Sequence, residues 1–316
     1  MQQVKVTARQ PQAHNVISLT LSPIDQPTLP NFQAGAHIDL HLGNGLIRQY
    51  SLCHSPSSHH DYQIAVKLEQ PSRGGSAWIH DQLKVGDVLT ISEPKNVFHL
   101  ADEAKHHVLF AGGIGITPLL SMAQALLETD ASFELHYSAQ SPDEAAFYQQ
   151  MTSSGLQHHT QFYFNREGQC LDAHAVLAQQ SQTSDLYVCG PQGYIDYVFE
   201  CARTQGWEES RLHRELFHAD PCANSSDNQP FELHLANTGQ TFTVPAHSTV
   251  LEVLLDAGVD VPFSCEEGVC GTCITRVLAG EPDHRDHYLT PQEQASNQEF
   301  LPCCSRAKSA SLTIEL

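Results

Sequence analysis

Over the first hundred residues, apolar and polar positions alternate in short runs: Val4-Lys5-Val6, 16–21, 37–42, 62–66 and 88–91, separated by Gly, Pro and Asn turns. Successive side chains of a strand point to opposite faces, so this period-2 texture predicts an antiparallel β-barrel or sandwich. From residue 102 the texture changes. Strand-sized apolar runs at 107–111, 133–137, 161–164 and 186–189 alternate with helical stretches at 119–127, 143–150 and 194–204. Strand–helix alternation predicts a doubly wound parallel sheet. The polar segment 219–229, with Asn224-Ser225-Ser226-Asp227-Asn228, reads as a linker. Beyond it come a hairpin (231–235 and 242–244, turning at Gly239), a helix at 250–257, a cysteine-rich loop and a final strand at 312–316. The expected division is 1–101, 102–218, linker 219–229 and 230–316.

Composition narrows the function. The chain has 316 residues and a formal charge of −20. That excludes a nucleic-acid binder working through a broad basic face and disfavours an anionic membrane surface. No stretch approaches the ~18 consecutive apolar residues of a membrane span, and residues 1–12 lack the apolar core of a signal peptide. A soluble, cytoplasmic protein is expected. The twenty His include the pairs His59-His60, His106-His107 and His158-His159, which lack ligand spacing and read as surface or packing residues.

The ten Cys are unevenly spread. Five of them, Cys265, Cys270, Cys273, Cys303 and Cys304, crowd a short C-terminal region. A reducing compartment disfavours disulfides, so clustering points to metal or redox chemistry. Cys265, Cys270, Cys273 and Cys303 follow C-x4-C-x2-C-x29-C, the plant-type [2Fe–2S] spacing. Two irons need four thiolates, three from one tight loop and one returning from a distant segment. Gly268 and Gly271 would let that loop turn and aim N–H groups at a net-negative cluster. A zinc site would use paired C-x2-C motifs or added His, and only one C-x2-C exists. On spacing alone, either Cys303 or the adjacent Cys304 could be the fourth ligand.

Two further constellations carry chemistry. Gly112-Gly113-Ile114-Gly115-Ile116-Thr117-Pro118 follows a strand and opens a helix. Its glycines suit close approach to a pyrophosphate, whose charge a helix N-terminus favours. Cys189-Gly190-Pro191 follows the strand at 186–188. In the first region, Arg48-Gln49-Tyr50-Ser51 offers a cation for a phosphate and an aromatic ring to pack on a ring system. Gly74-Gly75-Ser76 could form an N–H nest for a phosphate.

Ser264 to Cys273, the run Gly280-Glu281-Pro282-Asp283-His284-Arg285-Asp286, and Cys303-Cys304-Ser305-Arg306-Ala307 together resemble the ferredoxin domain of the phthalate dioxygenase reductase-type family. The resemblance covers essentially the whole chain, in the order flavin barrel, nicotinamide domain, β-grasp-like ferredoxin. It implies Cys265, Cys270, Cys273 and Cys303 as cluster ligands, with Cys304 a small buried residue. It implies FMN held by the Arg48-x-Tyr50-Ser51 signature, by Ala65-Val66-Lys67 and by Gly74-Gly75-Ser76, with Phe217 of the run Glu215-Leu216-Phe217 near the flavin. The pair GGxGxTP and CGP resembles the ferredoxin–NADP reductase superfamily. It implies a nicotinamide site at Gly112, Gly113, Gly115, Thr117, Cys189, Gly190 and Pro191, with Ser51, Thr117 and Cys189 lining the hydride site. Many relatives carry an Arg where Gln140 stands here, which favours NADH over NADPH.

The implied function is an electron-transfer reductase that carries electrons from NADH through FMN and [2Fe–2S] to a separate Rieske-type terminal oxygenase. The alternatives are a di-iron or haem acceptor, or a carrier module that no longer turns NADH over. Residues 230–316 hold 12 acidic and 4 basic residues, a balance that serves solubility or a docking face for a basic partner.

Overall fold

The computed structural model describes all residues except His59, Asp102 and 219–227. The linker expectation and Cys222 therefore fall mostly or wholly outside the described residues. The chain divides into two compact units, Met1–Glu215 and Leu216–Leu316.

The first unit contains two sheets. One is antiparallel: β1 (Gln2–Ala13), β2 (Val16–Pro23), β3 (His37–His41), β4 (Ile47–Ser51), β5 (Tyr62–Lys67) and β6 (Val88–Ile91), in the order β4-β3-β6-β1-β2-β5. A bridge between Leu52 and Ile64 joins the two edges, and Cys53 N–H donates to Gln63 O at 2.9 Å. The sheet thus curls into a barrel, as the alternating pattern predicts. In β1, Val4 and Val6 point inward while Lys5 and Thr7 point out. Val4, Val6, Leu19, Leu21, Ile38, Leu40, Ile64 and Ile91 fill the interior. Truncating any one of the Leu or Ile side chains among them to Ala removes about 2–5 kcal/mol. A short helix, α1 (Gly75–Asp81), follows β5.

The second sheet is wholly parallel: β7 (His107–Gly112), β8 (Phe133–Ala139), β9 (Thr160–Phe164), β10 (Asp185–Cys189) and β11 (Leu212–Glu215), ordered β11-β10-β7-β8-β9. Its helices include α2 (Ile116–Glu128), α3 (Tyr148–Thr152), α4 (Ala173–Leu177) and α5 (Gln192–Thr204). All six residues of β7 are buried, as a central parallel strand covered on both faces requires. Strand order reverses between β7 and β10. The crevice at their carboxyl ends is where doubly wound sheets bind ligands.

One expected element differs. The helix predicted over 143–150 is broken into a 3-10 turn at Pro142–Glu144 and the helix α3, with Phe147 between them at φ 62. Ala145, Ala146 and Phe147 are all buried. Three consecutive helical residues spread about 200° around the axis, so one helix face cannot bury them all.

The second unit is a mixed sheet: β12 (Phe231–Leu235), β13 (Thr241–Val244), β14 (Thr275–Ala279), β16 (Glu299–Phe300) and β18 (Ser311–Ile314), ordered β13-β12-β18-β14-β16. A small pair, β15 (Pro282–Asp283) and β17 (Arg306–Ala307), stands apart from it. Helix α6 (Val250–Asp256) opens with a Thr249/Glu252 capping box and buries Val250, Leu251 and Leu254. A second capped helix is α7 (Pro291–Ser296). β12 runs parallel to β18, and α6 packs over the core of Leu233, Leu235, Phe300, Leu312 and Ile314. This is the β-grasp-like arrangement the sequence predicts.

Candidate functional site

At the switch point the two glycine segments interlock. A Cβ at Gly115 would overlap the Cys189 carbonyl, and one at Gly190 would stand 3.0 Å from Gly112 Cα. Gly112, Gly115 and Gly190 therefore let the β7 and β10 exit loops close on each other. Gly113 differs: it takes φ +56 with open space where a side chain would be. Of the glycines expected to approach a pyrophosphate, Gly113 alone faces open space. Thr117 is buried in the first turn of α2, its hydroxyl donating to Ile114 O at 3.1 Å. Pro118 sits in that same turn, where its missing N–H removes no intrahelical bond. Pro191 caps α5.

Ser51 ends β4, and its hydroxyl donates to Glu215 Oε2 at 3.3 Å. Glu215 ends β11 beside Cys189 at the end of β10. His37 Nδ1 lies 4.0 Å from the other carboxylate oxygen. Burial pushes the Glu215 carboxyl up to about 8, the Ser51 hydrogen bond opposing it. Burial, then the charge of Glu215, pushes the Cys189 thiol well up, so it stays protonated. The structure thus brings Ser51 and Cys189 together around a carboxyl group that pattern reasoning misses. Its only signal in the sequence is the run Glu215-Leu216-Phe217.

Arg48 and the glycine turn also converge. The guanidinium donates to Ile47 O at 2.7 Å and to Arg73 O at 3.3 Å. A Cβ at Gly75 would press on Arg48 Cγ at 2.7 Å. Gly74 caps α1 at φ 88, and the Ser72 hydroxyl accepts from its N–H at 3.1 Å. Arg48 and 74–76 thus form one cradle of cation and helix start, suited to a phosphate. Tyr50 packs partly buried against the barrel core, and burial raises its hydroxyl far above its usual value. On β5, Ala65 and Val66 are buried, Val66 O faces His80 Nε2 at 3.0 Å, and Lys67 lies exposed 3.6 Å from Glu69. Phe217 belongs to the second unit and is half-buried.

In the second unit the cysteine loop coils through positive φ at Glu266, Gly268 and Gly271. Glu267 N–H points at Cys265 Sγ (3.4 Å) and Thr272 N–H at Cys270 Sγ (3.5 Å), the N–H-to-sulfur arrangement expected for a net-negative cluster. Cys265, Cys273 and Cys303 are buried, while Cys270 is half-buried. Cys265 stands beside Cys270 and Cys303, and Cys273 beside Cys303; these neighbours push the Cys265 and Cys273 thiols below their ordinary value, toward the thiolate form that binds iron. Among the described residues, no group of three or more His, Cys, Asp or Glu is arranged for a metal ion. The fit to two irons rests on the four convergent sulfurs and their N–H donors. Cys304 is half-buried, against the expectation of a buried residue. Its Sγ faces Leu301 O at 3.8 Å and fills the space beside Gly268. Arg306 is buried, donating to Ser248 O (2.5 Å), Pro245 O (3.0 Å) and Gln229 O (3.1 Å) over the Phe231 ring. It ties the segment carrying Cys303 to the start of β12.

Comparison with known proteins agrees with this layout. The sequence profile of the 2Fe-2S iron-sulfur cluster binding domain matches residues 233–308. That of the dimethylamine monooxygenase subunit DmmA-like N-terminal domain matches 92–212. A vanillate O-demethylase oxidoreductase of Pseudomonas sp. strain HR199 is 48% identical over 318 residues, covering 100% of both chains. The structure of phthalate dioxygenase reductase superposes with a TM-score of 0.78 at 37% identity, over 99% of this chain and 97% of that one. An intact type IV self-sufficient cytochrome P450 monooxygenase superposes with a TM-score of 0.86 at 35% identity. The match covers 100% of this chain and 41% of that larger protein.

Proposed function

The chain belongs to the phthalate dioxygenase reductase-type family, and from that premise we propose that it carries electrons from NADH through FMN and a [2Fe–2S] cluster to a separate Rieske-type terminal oxygenase. That it is an electron-transfer oxidoreductase binding a flavin, NADH and a two-iron cluster follows from the family. The choice of FMN, the residue roles and the Rieske partner are the proposal. One observation carries it: Ser51, Glu215 and Cys189 converge at the switch point of a parallel sheet, in a chain that also presents four convergent thiols.

When bound, nicotinamide, flavin and cluster supply two-electron donation, conversion to single electrons, and one-electron relay. The chain supplies placement. Arg48 and residues 74–76 would hold the flavin phosphate, Tyr50 would pack on the ring system, and 65–67 would lie along it. The Ser51 hydroxyl, fixed by Glu215, would meet the reactive edge of the ring. Gly113 and the start of α2 would take the pyrophosphate. Cys189, Gly190, Pro191 and Thr117 would bound the nicotinamide. Cys189 is fully buried and protonated, which suits a wall that admits a ring and excludes water rather than a nucleophile. In this division of labour, residues 1–101 bind flavin, 102–218 bind nicotinamide, 219–229 link, and 230–316 hold the cluster.

Among the described residues no helix is long and apolar enough to cross a membrane. We place the chain in the cytoplasm, where a reducing environment suits cysteines clustered for metal chemistry. The acidic balance supports a partner with a basic docking surface.

A purified Rieske-type oxygenase, NADH and a catalytic amount of this protein make the test. The Rieske absorbance should bleach only when all three are present. A second reading, a haem acceptor, draws on the self-sufficient P450, which carries the same modules in one polypeptide. Bleaching of a P450 haem, with a Rieske centre untouched, would favour it.

A further inference from the structure

The Asp286 side chain has no solvent exposure, and it packs against the cysteine loop. A Cβ at Gly268, between Cys265 and Cys270, would stand 3.1 Å from Asp286 Cα and 3.2 Å from Asp286 Cβ. The next residue, His287, donates its N–H to Gly268 O at 3.0 Å. Neutral donors surround the carboxyl: Leu289 N–H to Oδ2 at 2.8 Å, the Ser305 hydroxyl to Oδ1 at 3.4 Å and the Gln294 amide to Oδ2 at 3.5 Å. His284 Nδ1, also buried, stands 3.6 Å from Oδ1, beyond hydrogen-bond reach. The four Lys and Arg side chains of this unit are each engaged elsewhere. Arg276 pairs with Glu315, Arg285 with Asp283 and Lys308 with Glu281, while Arg306 serves backbone carbonyls.

A buried charge is costly unless a partner compensates it. Bracing the turn does not require one, because an amide oxygen would accept the same bond from Leu289. The charge therefore calls for another account. A cluster's reduction potential depends on the charge around it and on its burial. Reduction adds one negative charge, and in a protein interior a neighbouring carboxylate resists that arrival more than an exposed one does. We propose that Asp286 lowers the reduction potential of the [2Fe–2S] cluster, so that an electron placed there passes on readily to the acceptor. This holds only with the cluster on Cys265, Cys270, Cys273 and Cys303, as proposed above.

Mediated spectroelectrochemical titration of the full-length holoprotein reads the cluster midpoint without turnover. It is run at pH 8, where an ordinary imidazole is neutral. Asp286→Asn keeps an acceptor for Leu289 N–H, and its amide meets Ser305 Oγ and His284 Nδ1, both able to accept. At fixed ambient potential it should raise the ratio of reduced to oxidised cluster about tenfold, which is about 59 mV for one electron. The shift should persist at high salt, because buried charges are little screened. Gln294→Lys tests the charge without removing the carboxyl: its ammonium would stand beside Oδ2 and should raise the ratio too. A midpoint that Asp286→Asn leaves in place or lowers, or a shift lost at high salt, overturns the inference. So does a rise that Gln294→Lys does not share, which would make Asp286 a packing brace. If Asp286→Asn takes up no cluster, Gln294→Lys decides alone: a raised midpoint supports the inference and an unchanged one overturns it. If the wild-type chain takes up no cluster, the cluster site and the inference fall together. If the shifts appear as expected but NADH does not reduce the cluster, only the reductase reading falls.

Discussion

Ser51 Oγ donates to Glu215 Oε2 at 3.3 Å across 164 residues of sequence, joining the last residue of a barrel strand to the last residue of the parallel sheet. The bond makes two sheets of different architecture into one site. It also fixes a carboxyl group in a place where burial keeps it protonated near neutrality.

That carboxyl gives stability a pH dependence. Its ordinary value is 4.5 and its folded value about 8, so between these the folded state binds a proton that the unfolded chain has released. Stability is therefore complete below about pH 4.5 and declines as pH rises through 8, by at most about 5 kcal/mol. Thermal denaturation from pH 5 to 9 should show wild-type Tm falling more steeply than that of Glu215→Gln, whose amide does not titrate. Parallel curves would remove the buried carboxyl from the account.

Gly115→Ala tests the interlocked loops. Its Cβ would overlap the Cys189 carbonyl, and overpacking of this kind removes about 1–3 kcal/mol. Because the displaced residue borders the proposed nicotinamide site, KM for NADH should rise as well. Gly113→Ala enters open space and meets only the left-handed backbone, at about 1–2 kcal/mol. Urea denaturation and NADH kinetics on both variants check the order; equal losses would mean that the loops do not interlock.

Arg48→Ala removes the cation of the phosphate cradle together with its bonds to Ile47 and Arg73. Flavin should be lost on gel filtration, read as the flavin-to-protein absorbance ratio, while the cluster signal persists. Retention of full flavin would move the phosphate site elsewhere.

Cys270→Ser replaces the half-buried member of the thiol quartet. The visible signal of the cluster should disappear, and NADH should still bleach the flavin band. A cluster that survives this change would shift the ligand set toward Cys304.

Much of the fold and of the site is legible in the sequence. Cysteine spacing, the two glycine loops and the four apolar strands at 107–111, 133–137, 161–164 and 186–189 are local patterns, and each lies where its period or spacing indicates. What is not legible depends on contacts between distant segments. Glu215 is one acidic residue among 36 until Ser51 is set beside it. Arg306 reads as part of a short motif, but its three carbonyl partners come from 229, 245 and 248. The break at Phe147 has the same origin, because the core buries three consecutive apolar residues where local periodicity favours a helix.

The central claim is a continuous internal path from nicotinamide through flavin to iron–sulfur. An anaerobic titration with NADH, followed by visible absorbance, tests it most directly. The account predicts that both the flavin and the iron–sulfur bands bleach, and that NADPH does so far less efficiently. Two intact chromophores that NADH leaves unbleached would contradict it.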